Sequence, residues 1–209
     1  MAAPAGPPRL PLLRLRCSRA DHLRALLERQ PQWGVIAPAH EQVAADAAVV
    51  RYRLQPQSFF VEVRWRRERD EWVERDFLIV PGAVVALRLV LGDRDPARIS
   101  SLLDLPPSRA WRQGSGDGPP SVRREGLWIH EVLPDACVYA EEKVQELLAL
   151  LRSRPGLRDV LADPEVRWAG VTVQFRGCRE RMGGLSLDRA VLEDLVALSL
   201  QLDVEVGAE

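Results

Sequence analysis

The stretch 89-LVLGDRDPARISSLLDLPP-107 decides the fold of this 209-residue chain. An apolar strand ends at Gly92, and Asp95 can then accept hydrogen bonds from the free amides at the start of a helix. Pro96 fits the first helical position, because its missing N–H has no partner there. The apolar residues that share one face of the helix are Ile99, Leu102 and Leu103. The sequence "LPP" ends the helix, so every unusual residue in the stretch has a folding role.

Upstream of this unit the sequence predicts a long apolar strand and a hairpin. Residues 84–91 form a near-continuous apolar run, which predicts a strand buried on both faces. Before it, apolar residues alternate with mainly charged residues in 59–66, a polar "RERDE" follows, and the chain then runs back over 72–80. These two runs predict a β-hairpin. Pro81 and Gly82, in "VPGA", are the expected domain boundary.

The N-terminal region has its own strand and helix pattern. Leu13 and Leu15 alternate with Arg14 and Arg16, which predicts a strand over 10–17. A helix is expected to follow it. The expected domains are a mobile tail over 1–8, an N-terminal strand–helix–hairpin α+β region over 9–80 and a C-terminal α+β domain over 83–207.

Helices and strands alternate irregularly in the second half. The sequence predicts a strand in "GLWIHEVL", a helix with Val144, Leu147, Leu148 and Leu151 on its buried side, a short helix over 157–162 and a strand in "EVRWAGVTVQFRG". A last helix is expected over 188–202 with Leu192, Leu195, Val196 and Leu202 on its apolar face, followed by an edge strand. This order predicts an α+β fold with a largely antiparallel sheet and helices packed on one face. We interpret it as a ferredoxin-like-type sandwich with an N-terminal α+β extension or small second domain.

Composition limits the classes of partner and compartment. The net charge is −1, which gives no general attraction to nucleic acid or to anionic lipid. The three cysteines are odd in number and widely spaced, so neither a disulfide framework nor a zinc site is expected. The N-terminal apolar run is too short for a secretory signal, and no run reaches transmembrane length. We therefore expect a cytoplasmic protein with no membrane partner.

Three segments of the second half resemble the bacterial domain of unknown function 4279 family. They are "LRLVLGDRDPARISSLLDLPPSRAWRQG", the tryptophan-bearing strand "GLWIHEVL" and the terminal "GLSLDRAVLEDLVALSLQLDVEV". The resemblance covers about residues 84–207. It implies a compact α+β fold and carries no assigned activity.

The loop over 109–124 and the strand after it contain the candidate ligand-binding residues. They are Arg109, Trp111, Arg112, Arg123, Arg124, Trp128 and His130. Arginines next to indoles can bind a carboxylate, a phosphate or an unstacked base by bidentate hydrogen bonds and stacking. The alternative is a surface loop whose arginines pair with the acidic residues of the domain, while Trp128 fills the core.

Motifs for catalysis are missing from the sequence. No second histidine lies four residues from His40 or His130, and there is no GxSxG nucleophile elbow. We expect no catalytic residue, no metal ligand and no cofactor.

We therefore expect a non-enzymatic cytoplasmic interaction or regulatory protein that holds another protein, an immunity-type role being one version. One alternative is a small-molecule or nucleotide-processing enzyme with Arg112, Arg123 and His130 around an anionic substrate. The other is single-stranded nucleic-acid binding through Trp111 and Trp128, which the acidic remainder of the domain disfavours. The sequence leaves the homo-oligomeric state open.

Overall fold

The computed structural model describes residues 34–55, 59–69, 71–115, 125–177 and 184–208. The strands in these residues are β1 (Gly34–Val43), β2 (Ala47–Gln55), β3 (Phe59–Glu68), β4 (Glu71–Leu91), β5 (Arg109–Trp111), β6 (Gly126–Val132), β7 (Val166–Gly177) and β8 (Gln201–Ala208). The helices are α1 (Pro96–Leu103), α2 (Ala140–Arg152), α3 (Leu157–Leu161) and α4 (Arg189–Ala197). The predicted tail over 1–8, the strand over 10–17 and the helix after it lie outside the described residues.

The 21-residue strand β4 connects the two halves of the sheet. The sheet order is β1-β2-β3-β4-β6-β5, with β7 also paired to β4 and β8 beyond β7. Only β7 and β8 run parallel among the described pairs. The α+β fold with a mostly antiparallel sheet is thus confirmed, whereas the ferredoxin-like detail is not, because β4 is antiparallel to both β6 and β7.

The predicted domain boundary falls within β4. Residues up to Pro81 pair with β3, as the predicted hairpin requires. From Gly82 onward β4 pairs with β7, and from Val85 also with β6. The partner strand therefore changes at the "VPGA" sequence, although the strand itself continues through it. The division of the chain into domains stays a prediction.

Helix α1 starts as its sequence predicts. The Asp95 carboxylate accepts a hydrogen bond of 3.0 Å from the Ala97 amide, and Pro96 occupies the first turn. The helix ends at Asp104, which adopts a left-handed conformation with φ 48°. Local capping chemistry thus fixes both ends of α1.

The main core lies between β4, β6 and β7 and the four helices described. Val85, Leu87, Leu89 and Leu91 alternate along β4 and are fully buried there. Val144, Leu147, Leu148 and Leu151 of α2 are buried against it, as predicted, and so is Ala140. The β4 residues that alternate with these four core residues of the strand face the other side of the sheet. Apart from Ala86, they are only half-buried. The apolar run predicts that both faces of β4 are buried. In the structure only the face towards the helices is fully buried.

The last helix is shorter than predicted, and its buried face differs. It ends at Ala197, and Leu202 belongs to β8 instead. Val191 and Leu195 are the buried residues, whereas Leu192 is 47% and Val196 78% exposed. The helix stops because the chain turns at Ser199, where φ is 54°. Leu192 and Val196, two residues of the expected apolar face, are therefore exposed aliphatic side chains.

A buried ion network joins β2 and β3 to α2. The Arg51 Nε donates to Glu62 at 2.9 Å, and its two terminal nitrogens donate to both oxygens of Glu142. Its guanidinium also lies 4.7 Å from the centre of the Tyr139 ring. The chain's single lysine, Lys143, is buried on the same helix and donates to the Ala83 carbonyl at 2.9 Å.

Candidate functional site

One face of the sheet formed by β5, β6, β4, β7 and β8 is not covered by the helices that the structure describes. We call it the open face. On β4 it presents the side chains that alternate with the core residues, because successive side chains of a strand point to opposite sides. The register brings Ala86 next to Thr172 and Val84 next to Gln174.

A cavity of about 290 Å³ lies on the open face. Its apolar lining residues are Val84, Ala86, Val90, Leu127 and Ile129, together with the ring of Trp111. Its main polar lining residues are Arg88, Arg109, Glu131, Thr172, Gln174 and Glu205. Five strands thus contribute to one shallow site, which has an apolar base and polar walls.

Carboxylates accompany both arginines of the cavity. The Arg109 guanidinium donates to Glu131 at 2.9 Å. The Arg88 guanidinium lies 4.0 Å from Glu205 and 5.7 Å from the centre of the Trp168 ring. Three glutamates and two arginines line the cavity, so its formal charge is −1. A cavity with this balance has no strong preference for a free anion.

Two hydrogen-bond donors on the open face have no acceptor within the described ranges. They are the Arg88 Nε and the Trp111 indole nitrogen, and both atoms are buried. A buried donor without an acceptor costs about 1–3 kcal/mol. Both side chains line the cavity, so a molecule whose acceptors reach these two atoms after a small rotation of the side chains would satisfy them.

The structure divides the predicted binding residues between the two faces of the sheet. Arg109 and Trp111 lie on the open face. Trp128 is fully buried in the core on the other face, where its indole donates to the Ser100 hydroxyl at 2.9 Å. His130 stacks on Trp128 with ring centres 6.1 Å apart. The register explains this division, since Trp128 is paired with Ala110, between the two open-face residues of β5.

The other predicted arginines do not join the cavity in the described structure. Arg112 is exposed and forms an ion pair with Asp95, the residue that caps α1. The hydrogen bond from the Ala97 amide lowers the pKa of Asp95, and Arg112 lowers it further. Arg112 therefore supports the start of a helix. Arg123 and Arg124 lie outside the described residues.

His130 is also tied to the fold. Its Nδ1 lies 2.7 Å from the Pro106 carbonyl oxygen, which can only accept a hydrogen bond, so the ring donates from Nδ1. The histidine and Arg109 are thus on opposite sides of the sheet, and the sequence-predicted cluster is not one site.

Several cavity residues were not predicted from the sequence, namely Arg88, Thr172, Gln174 and Glu205. One local signal was available. Arg88 is the only charged residue in the apolar run 84–91, and a charge inside such a run indicates that one face of the strand is partly open. The other three residues come from β7 and β8, and only the strand register brings them to the cavity.

Within the described ranges, no group of three or more histidine, cysteine or acidic side chains is arranged to hold a metal ion. No helix there has the length and apolarity needed to cross a membrane. Burial lowers the pKa of Lys143. Its amine, however, donates to a backbone carbonyl inside the fold, so Lys143 belongs to the core.

Comparison with protein families gives a match to the second half of the chain. The profile of a family described as a domain of unknown function (DUF4279) matches residues 82–208. This range begins where β4 changes its partner strand, and it includes all the residues that line the cavity. No curated protein and no solved structure matches the sequence.

Proposed function

The chain belongs to the DUF4279 family, and we propose that it is a non-enzymatic interaction protein that binds another protein through the open face. The observation that carries the proposal is the pair of buried donors, on Arg88 and Trp111, beside an apolar cavity base. The partner's contact surface would supply the acceptors for these donors. A regulatory or immunity-type partner fits this role.

The residue types of the open face support a protein partner. Tryptophan and arginine are the side chains most enriched at the centres of protein interfaces, where they fill pockets and form hydrogen bonds. The open face has Trp111 and Trp168 at the two sides of β4, with Arg88 and Arg109 between apolar residues. A sheet face of this kind provides a rigid surface, because five paired strands fix its backbone.

An enzyme acting on an anionic small molecule has less support. The active site of such an enzyme would have to combine His130 with the arginines. His130, however, contacts Pro106 on the other side of the sheet. The cavity is also at the lower end of the usual size of small-molecule sites, about 300–1,000 Å³, and its charge is not positive. Single-stranded nucleic acid has less support for the same electrostatic reason.

We assign the protein to the cytoplasm as part of the proposal. Cys137 is a free, buried thiol in the described structure. Free thiols are usual in reducing compartments.

The proposal can be tested by affinity capture with matched variants. Tagged wild type, Arg109→Glu/Trp111→Ser and Arg158→Glu are compared as bait in a lysate of the native host. Arg158 is exposed on α3, on the helix side of the sheet, so its variant controls for the change in charge. We expect a protein captured at about one copy per bait by wild type and by Arg158→Glu.

The affinity for that protein is then measured with purified components. The open-face variant should bind at least about 30-fold more weakly, the effect of losing a hot-spot residue worth about 2 kcal/mol. Failure to capture a stoichiometric protein contradicts the proposal. So does a partner that binds the open-face variant as tightly as wild type.

A further inference from the structure

The sheet, as far as the structure describes it, ends at three strands, β1, β5 and β8. Strand β1 contains Pro38, and its register with β2 is irregular on both sides of that residue. Strand β5 has only three residues. Proline, irregular register and short length protect sheet edges against the addition of another strand. Strand β8 has none of these features, since its eight residues include no proline and pair with β7 in an unbroken register.

The outer side of β8 offers both backbone groups and an aliphatic row to a further strand. The aliphatic row consists of Leu202, Val204 and Val206, which are paired with three buried core residues of β7. The row thus continues the core side of the sheet, yet its members are 37%, 43% and 52% exposed. Among the described strands β8 pairs only with β7, so the N–H and C=O groups on its other side can pair with an added strand.

Two acidic side chains, Asp203 and Glu205, alternate with the aliphatic row. They are on the open-face side, because they are paired with Thr172 and Gln174. Glu205 has only distant partners, the Arg88 guanidinium at 4.0 Å and the Gln174 amide at 3.5 Å. Asp203 has no ionic partner in the described structure. Since opposite charges that face each other across strands are stabilising, this edge favours a strand with basic residues opposite the two acids.

We propose that β8 binds an extended segment of another protein in which aliphatic residues alternate with arginine or lysine. The segment adds to the free edge of β8 as a further strand along residues 202–206. Its aliphatic side chains lie beside the aliphatic row, and its basic side chains lie opposite Asp203 and Glu205. In recognition by strand addition, main-chain hydrogen bonds give the affinity and alternate side chains give the specificity.

A second copy of β8 is a poor occupant of this edge. Directly opposite residues of antiparallel strands lie on the same face. In an antiparallel β8–β8 pair centred on Val204, Asp203 lies opposite Glu205. In the two neighbouring registers one of the two acids lies opposite its own copy. Like charges in these positions are unfavourable, so the acids oppose self-association and leave the edge to a basic strand.

Binding is measured by calorimetric titration of the full chain with a synthetic peptide, acetyl-Gly-Val-Arg-Val-Arg-Val-Gly-amide, called the arginine peptide. We expect saturable binding. The same peptide with glutamate in place of both arginines should bind at least about fivefold more weakly. Equal binding of the two peptides, or no saturable binding at about 1 mM arginine peptide, overturns the proposal.

The acidic contact is tested with charge variants of the protein. Asp203→Arg should weaken binding of the arginine peptide at least about fivefold, and Asp203→Asn should have a smaller effect in the same direction. Glu146→Arg is the matched control, because Glu146 is exposed on α2 and the change in charge is the same. It should bind as wild type does. Equal weakening by Asp203→Arg and Glu146→Arg would indicate a general ionic attraction and contradict the proposal.

The backbone contact is tested with methylated peptides and wild-type protein. In an added strand, alternate residues direct their amides towards β8 or away from it. Methylation of the two arginine amides and methylation of two neighbouring valine amides therefore have different effects, because only one of these sets bonds to β8. The two methylated peptides should differ at least about tenfold in affinity. Equal affinities exclude strand addition.

Hydrogen exchange locates the bound peptide. At saturation the arginine peptide should slow amide exchange in 201–206 at least about fivefold and leave the β1 edge, 34–43, unchanged. Protection elsewhere only, or a wild-type dimer whose β8 amides are already protected without peptide, refutes the proposal. The variants Asp203→Arg and Glu146→Arg change no residue that lines the cavity, and no open-face partner is present. Failure of these tests therefore leaves the proposed open-face function unaffected.

Discussion

Replacing Arg51 with methionine should destabilise the fold, because this residue is the cation of the buried network. Arg51 is 3% exposed and Glu62 2% exposed. Removal of one partner of a buried ion pair leaves an uncompensated charge, which costs about 3–5 kcal/mol. Methionine keeps the aliphatic packing, so the variant isolates the loss of charge and hydrogen bonds.

The contacts place the cost at the lower end of that range. Glu142 also loses Arg51, but its side chain is 39% exposed and can be hydrated instead. Glu62 cannot be hydrated, although it retains a 2.9 Å hydrogen bond from Arg64. We therefore expect a loss of about 3 kcal/mol in the free energy of unfolding. Urea denaturation at pH 7 measures it.

Two further variants make the result interpretable. Arg64→Met removes the other cation beside Glu62, and since Arg64 is half exposed, it should cost under about 1 kcal/mol. Arg51→Met/Glu62→Met removes both buried charges and should recover most of the loss. If Arg51→Met costs under about 1 kcal/mol, or the double variant is as unstable as the single one, our account of the network is wrong.

Acid titration gives a second readout of the same network. Burial raises the pKa of Glu62, but hydrogen bonds from Arg51, Arg64 and Tyr139 outweigh it, so the pKa lies below its ordinary value of 4.5. The unfolded chain then binds the proton first, and stability is lost as the pH falls from 4.5 through the lowered pKa. Arg51→Met should show a smaller loss over this interval.

Three other perturbations test different parts of the fold. Asp95→Ala removes the cap of α1 and should cost about 1 kcal/mol, or about 2–4 °C in Tm, in a thermal melt. Gly156→Ala should lower the free energy of unfolding, measured by urea denaturation, by at least about 2 kcal/mol, because a Cβ at this position would lie 2.0 Å from the Leu102 carbonyl oxygen. Gly184→Ala is the control and should leave the stability unchanged, because no atom lies within 4 Å of the added Cβ. Burial lowers the pKa of Lys143, so the wild type should gain stability as the pH rises from that pKa towards 10.5, and unfolding measured across alkaline pH should show no such gain in Lys143→Met.

Local chemistry explains which elements the sequence could predict. The Asp95–Pro96 pair specifies the start of α1 within two residues, and the spacing of leucines specifies the buried side of α2. The last helix shows the limit of such patterns. Its sequence offers two overlapping sets of aliphatic residues, and only the packing against the sheet selects Val191 and Leu195 over Leu192 and Val196.

The candidate site was harder to predict, because it depends on strand register. Trp111 and Trp128 were predicted to share one site because they are close in the sequence. The pairing of Ala110 with Trp128, however, puts the two indoles on opposite faces of the sheet. Thr172 and Glu205 also line the cavity, although both lie more than 60 residues further along the chain than β5. The alternation of apolar and polar residues within each strand can be read from the sequence, but the register between strands cannot.

The alternation of β4 also explains how a binding surface and a core can coexist on one strand. Leu87 and Leu89 pack in the core with the helices, while Arg88 between them lines the open-face cavity. The two sets of side chains are on opposite sides of the same backbone and make separate contacts. Substitutions on the exposed parts of the open face, such as Arg109, can therefore change binding without removing core contacts. This separation is what makes the proposed interaction testable in a protein that remains folded.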